Sequence, residues 1–280
     1  MTVINTNTKS IVAQNALTVN NRAMSKAMEQ LSTGKRINSA ADDAAGLAIA
    51  STMTSQIRGL NQAVRNANDG ISLLQTAEGA MIEQTNMMQR MRELAVQAAN
   101  DTVSTEQKGY LNTEFQKLLT EIDRIGGATQ WNGENVLDKS GGRATDGLYV
   151  FQVGANASQE ISVQIGDMSS AATGLLKDLS GQKVDTAANA NTAIGKIDDA
   201  LAAINDQRAT IGAGINTLTY AADNLANVSQ NTSASRSQVL DTDYASATTE
   251  LARTQIISQA ATAMLAQANQ APQTVLSLLR

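Results

Sequence analysis

At 280 residues with a net charge of −5, the chain is 42% hydrophobic but only 2% aromatic. Any core is therefore built from Ala, Leu, Ile and Met, which favours one or two helical domains over a β-sandwich. There is no Cys and no His, which excludes disulfides, Ser-His-Asp catalysis, thiolate or histidine metal sites and a histidine pH switch.

Several functions are also unexpected from the pattern. The charge forms no basic block, so nucleic-acid binding is not expected. No run of about eighteen apolar residues marks a membrane span, and the N-terminus lacks the apolar core of a secretory signal peptide. In residues 1–40, Leu17, Met24 and Leu31 recur every seven positions with Met28 alongside, the spacing of an amphipathic helix seam. Gly34 ends that helix. Ser39 is then a candidate cap for a second helix, with Asp42 and Asp43 in its first turn, where the helix dipole favours negative charge. Adjacent helical carboxylates point in different directions, so capping is preferred here to acid–base chemistry.

A long helix follows. Ile57, Leu60, Val64, Ala67, Ile71, Leu74 and Met81 keep a three-four spacing broken only at Glu78, and Met87, Met91, Leu94 and Ala98 continue it. Residues 46–99 as one helix span about 80 Å, with Gly79 a possible bend. Arg90, Arg92 and Glu93 fall on the opposite face. Asn100-Asp101 is a turn, and Ser104 with Gln107 forms a capping box for a helix carrying Leu111, Phe115, Leu118, Ile122 and Ile125. Gly126-Gly127 is its expected stop.

Residues 128–185 change character. LYVFQVG and ISVQIGD read as a hairpin turning in ANASQ, and Asn132-Gly133 as a second tight turn. Residues 138–147 are Gly-rich and form the expected site for an insertion. Helix resumes near Thr186, with Ile194, Ile197, Leu201, Ile204, Ile211, Ile215, Leu218, Ala222 and Leu225 in one stripe broken at Arg208, and with Asp198-Asp199 solvated. Leu240, Tyr244, Ala247 and Leu251 lead into the last stretch. There Ile257, Ala261, Met264, Ala268, Ala271, Val275 and Leu278 alternate steps of four and three, a heptad seam that needs a partner helix. Gln267, Asn269, Gln270 and Gln273 lie opposite. Pro272, the single proline, would by itself kink or end this helix.

Four of these stretches, in this order, resemble bacterial flagellin: LSTGKRINSAADDAAGLAIA, QRMRELAVQAAN, FQVGANASQEISVQI and MLAQANQAPQTVLSLLR. Lys35 and Ala41 depart from residues frequent in that family. The resemblance implies a mainly α fold of long antiparallel helices in a coiled-coil-like bundle with a small β-hairpin region. It further implies a terminal helical domain of residues 1–44 with 236–280, and a second helical domain of residues 45–235 with its hairpin at about 148–166. Pro272 is tolerated within the family's C-terminal helix. The implied role is the structural, non-enzymatic subunit of the extracellular flagellar filament, of a short form without outer central domains and needing no cofactor. Leu17, Met24, Leu31, Ile257, Met264, Val275 and Leu278 are the expected assembly residues. Expected partners are other copies of the chain, the flagellar type III export apparatus, an export chaperone, the filament cap and the host Toll-like receptor 5. For that receptor the family's contact positions fall on Gln89, Arg90, Leu94 and Glu114. A hook–filament junction protein has similar ends, but the QRMRELAV and hairpin motifs argue against it. A cytoplasmic coiled-coil adaptor fits the periodicity alone. The lack of His and of a central insert argues against the zinc peptidase that some flagellins carry.

Overall fold

The computed structural model describes residues 6–140, 146–170 and 174–278, with side chains as far as Gln270. Residues 141–145 of the expected insertion site, and the side chains of Ala271, Val275 and Leu278, lie outside the described residues. The fold is mainly α: helices α1 (Thr8–Thr33), α2 (Ala44–Ala99), α3 (Thr105–Ala128), α4 (Ala187–Leu240) and α5 (Tyr244–Leu278). Two antiparallel hairpins lie between α3 and α4 in the chain. One pairs β1 (Gln130–Trp131) with β2 (Glu134–Asn135), and the other pairs β3 (Leu148–Gln152) with β4 (Glu160–Gln164). The chain divides into two compact units, Met1–Ser55 with Asn231–Arg280, and Gln56–Gln230.

Within Gln56–Gln230, α2 and α4 run antiparallel. As numbering climbs along α2 from Asn61 through Glu78 to Arg92, the partners descend along α4 from Ser229 through Arg208 to Asp198. The buried line on α2 is Leu60, Ala63, Ala67, Gly70, Leu74, Ala77, Met81, Gln84, Met88, Met91, Ala95 and Ala98, an unbroken three-four alternation of the coiled-coil kind. Val64, Ile71 and Met87 flank this line, half-buried. On α4 the line runs through Ala190, Ala193, Ile197, Ala200, Ile204, Ile211, Gly214, Leu218, Ala222 and Leu225. Small residues thus supply much of both seams, because they let helix backbones approach closely. The β3–β4 hairpin packs onto them where there is no side chain to displace: a Cβ at Gly70 would lie 2.8 Å from Phe151, and one at Gly214 2.8 Å from Val163. Phe115, Leu119 and Ile122 of α3 complete this core.

Three helix boundaries differ from the sequence reading. Asp43, not Ser39, caps α2: its Oδ1 accepts from the Gly46 amide at 2.9 Å. Ser39 instead donates its amide and hydroxyl to the Asp42 carboxylate at 3.1 and 3.2 Å. Gly79 does not break α2, which runs from Ala44 to Ala99; it is exposed there and nothing crowds it. Gly126-Gly127 does not stop α3, which continues to Ala128 and caps on Thr129; Gly126 lies against the Met168 carbonyl. The expected capping box at Ser104 and Gln107 is present in both halves.

α5 passes through Pro272. A proline there has no N–H for the carbonyl four residues earlier, that of Ala268. The side-chain amide of Asn7 donates to that carbonyl at 2.8 Å, so the gap in the helix ladder is filled from α1.

Candidate functional site

In the unit formed by the two ends of the chain, α1 and α5 pack antiparallel. Asn7 donates to the Ala268 carbonyl and Asn20 to the Thr254 carbonyl, each at 2.8 Å. The α1 seam is Ser10, Ala13, Leu17, Asn20, Met24, Ala27 and Leu31, with Asn20 and Ala27 buried and the others half-buried. So Leu17, Met24 and Leu31 all face α5. The facing α5 line is Ala247, Leu251, Thr254, Ser258, Ala261, Leu265 and Ala268. It shares Ala261 and Ala268 with the seam read from sequence but leaves out Ile257 and Met264, which are 40% and 65% exposed. These two flank open clefts beside α1. Met264 shares one with Val12 and Ala13, and Ile257 shares the next with Val12 and Val19. Val12 and Val19 are 68% and 60% exposed. The result is an uncovered apolar strip along one side of the pair.

The turns of this unit are tied together. The Gly34 carbonyl accepts from the Thr242 amide at 3.0 Å, and the Arg36 amide donates to the Leu240 carbonyl at 2.7 Å. Gly34 adopts φ +69° at the end of α1, a conformation that favours glycine. Lys26 pairs with Asp42 at 2.8 Å. That hydrogen bond, with those from the Ser39 and Asn38 amides, lowers the Asp42 pKa to about 2.

In Gln56–Gln230 the structure gathers charge where α2, α3 and α4 meet. Arg90 Nε donates to Glu114 and its Nη1 to Glu93, both at 3.0 Å. Arg92 grips Asp198 with two donors, at 2.7 and 3.3 Å. The hydrogen bonds to Glu93 and then Glu114 push the Arg90 pKa up, and the Arg92 hydrogen bond lowers that of Asp198. Gln89, Arg92, Glu93 and half-exposed Val96 line a shallow groove beside them. Of the four expected receptor positions, Gln89, Arg90 and Glu114 face outward. Leu94 does not: it is 1% exposed in the core, beside Ala95 of the buried line, and so it supports this face from beneath. Among the described residues no group of three or more His, Cys, Asp or Glu side chains could hold a metal ion, and no helix is long and apolar enough to cross a membrane.

Two family models account for most of the chain. The bacterial flagellin N-terminal helical region matches residues 4–141, and the bacterial flagellin C-terminal helical region matches residues 194–279. The chain belongs to the bacterial flagellin family. Its relatives include the flagellar filament 33 kDa core protein of Treponema phagedenis, 45% identical over 285 residues covering 99% of this chain and 100% of that protein. A flagellin of Halalkalibacterium halodurans is 45% identical over 280 residues, again 99% and 100% of the two chains. The crystal structure of Bacillus cereus flagellin is similar in fold, with a TM-score of 0.50 and 31% identity over 57% of this chain and 88% of that one.

Three polar residues of this flagellin-family chain escaped the sequence reading. Asn7 and Asn20 tie α1 to α5. Gln84, fully buried, donates to the carbonyls of Ile122 and Met168 at 3.1 Å each. The signal for two of them was present: Asn20 falls between Leu17 and Met24, and Gln84 between Met81 and Met88, each at the heptad position where a polar residue specifies register. For Asn7 the sequence offered no signal.

Proposed function

We propose that this protein is the structural subunit of an extracellular bacterial flagellar filament, joining other copies through the helices of its two ends. Beyond the family match, the observation that carries this reading is the apolar strip of Val12, Val19, Ile257 and Met264. These side chains are 40–68% exposed, so covering each gains roughly half of the ~1.5–3 kcal/mol of full burial, and a second copy offers a cover of the right chemistry. Residues 1–44 and 236–280 form the assembling part. Leu17, Met24 and Leu31 hold α1 on α5, and Ile257, Met264, Val275 and Leu278 are the assembly residues of the last stretch. The copies meet head-to-tail through different surfaces, a contact that does not close into a ring and so builds an open helical array. The export apparatus, an export chaperone and the filament cap are its partners on the way out. No catalytic role is assigned.

Toll-like receptor 5 recognises the free subunit through Gln89, Arg90 and Glu114, with Leu94 holding the helix beneath them. The convergence of Arg90, Glu93 and Glu114 supports this, since it presents a fixed array of donors and acceptors of the kind found at interface hot spots.

Deleting Ile257–Arg280 is expected to leave the Gln56–Gln230 helices folded and to abolish polymerisation. Circular dichroism and electron microscopy of protein seeded with filament fragments decide it. Normal filaments from the truncated chain would overturn the reading, and a wild-type chain that stays soluble with seeds would favour a coiled-coil adaptor.

A further inference from the structure

We propose that Gln56–Gln230 contains a hinge, a section at Gly79 of α2 and Gly212 of α4 where both helices open together and the parts on either side tilt. The two glycines lie opposite each other. Gly79 is 18 residues after Asn61, and 18 residues before the Asn61 partner, Ser229, is Ile211, next to Gly212. What covers the α2–α4 pair also changes at this level. On one side the β3–β4 hairpin seats against Gly59 and Gly70. On the other, α3 runs antiparallel to α2, meeting Gln84 with Ile122 and Arg90 with Glu114. α3 ends at Ala128, six residues past Ile122, and so gives out beside Gly79.

Packing does not ask for glycine at either position. A Cβ at Gly59, Gly70 or Gly214 would press on the hairpin, whereas one at Gly79 or Gly212 would meet nothing within 4 Å. Glycine weakens both helices at this one level, since it is the poorest helix former after proline. The closed section also leaves polar atoms short of partners. Three buried side-chain atoms among the described residues have no hydrogen-bond partner, and two of them, Gln84 Oε1 and Arg208 Nε, lie within five residues of these glycines. Opening admits water to both, which offsets part of the cost of the broken helical bonds. Gly195 of α4 is equally uncrowded, but α2 carries no glycine opposite it. The Arg90–Glu93–Glu114 face lies on one side of the hinge and the hairpin seats at Gly59 and Gly70 on the other. Tilting therefore moves two surfaces relative to each other while leaving each intact.

The test is hydrogen exchange of the full-length free subunit, read by peptide mass spectrometry as protection along α2 and α4. Residues 79–84 and 208–212 are expected to be less protected than residues 67–74 of α2 and 218–225 of α4. Gly79→Ala should raise protection about fivefold in both segments, its own and the one on α4, and Gly212→Ala should do the same from the other helix. That factor is what glycine's deficit against alanine in a helix implies when the two segments open as one unit. Both added methyls have room, so both variants fold. Gly195→Ala, with as much room, should leave the two segments unchanged. The proposal is overturned if each substitution protects only its own helix. It is equally overturned if the two segments are as well protected as their flanks, or if Gly195→Ala protects them as strongly as the other two.

Discussion

A single amide decides whether α5 can carry its proline. Asn7 accepts from the Ser10 amide with Oδ1 and donates to the Ala268 carbonyl with Nδ2, so it caps α1 and fills the gap left by Pro272 at once. Asn7→Asp keeps the acceptor and removes the donor. It is expected to destabilise the α1–α5 pair by about 1 kcal/mol, and to have little effect when Pro272→Ala restores the helical N–H. Hydrogen exchange along α5 measures both, and an equal cost in the two backgrounds would separate Asn7 from the proline. Asp42 makes a second residue-scale prediction. Its pKa is lowered from 3.8 to about 2, so the Lys26–Asp42 clamp contributes fully above pH 4 or so and is lost as pH falls through about 2. A carboxyl NMR titration should show this low value, moving up in Lys26→Met. Titration of the wild-type carboxyl near 3.8 would contradict the clamp.

Among the elements, α2 and α4 show how register is set. Glu78 and Arg208, each a polar interruption in its own stripe, come together at 3.9 Å across the two helices. Both side chains are about a third exposed, so the pair is worth only about 0.2–1 kcal/mol. Its value is specificity, since a shifted register would set each charge against apolar neighbours. Glu78→Arg and Arg208→Glu should each lower the thermal midpoint, and the two together should recover most of the loss. Absence of recovery in the double variant would show that the two charges act independently. Gln84 adds a neutral device to the same purpose, binding α2 to α3 and to the loop after β4.

For the molecule as a whole, the surface exposed in the free subunit differs from that left in a polymer. If the Arg90 face is covered between copies, the monomer should activate Toll-like receptor 5 and the filament should not. Arg90→Ala removes the donors that hold Glu93 and Glu114, and is expected to weaken receptor activation by about tenfold to a hundredfold. A reporter dose response with folded monomers measures this. Equal potency of wild type and variant would remove Arg90 from the contact.

Periodicity and capping chemistry determined which stretches are helical. The heptad spacing of Leu17, Met24 and Leu31 marked α1, the Ser104–Gln107 box marked the start of α3, and Asn132-Gly133 marked the first hairpin, with φ of 51° and 84°. These signals are local, carried by residues a few positions apart. Tertiary structure decided which residue of each heptad faces inward. Hydropathy pointed to Ile257 and Met264 on α5 and to Ile194 and Ile215 on α4. Closest packing instead selected Thr254 and Ser258, and Ala193 and Gly214, because small side chains let helix axes approach while large ones are displaced to the flanks. It also decided the partners of Asn7, Gln84 and Glu78, since a polar group is satisfied by whatever the fold brings within about 3 Å, and that neighbour lies far away in the chain.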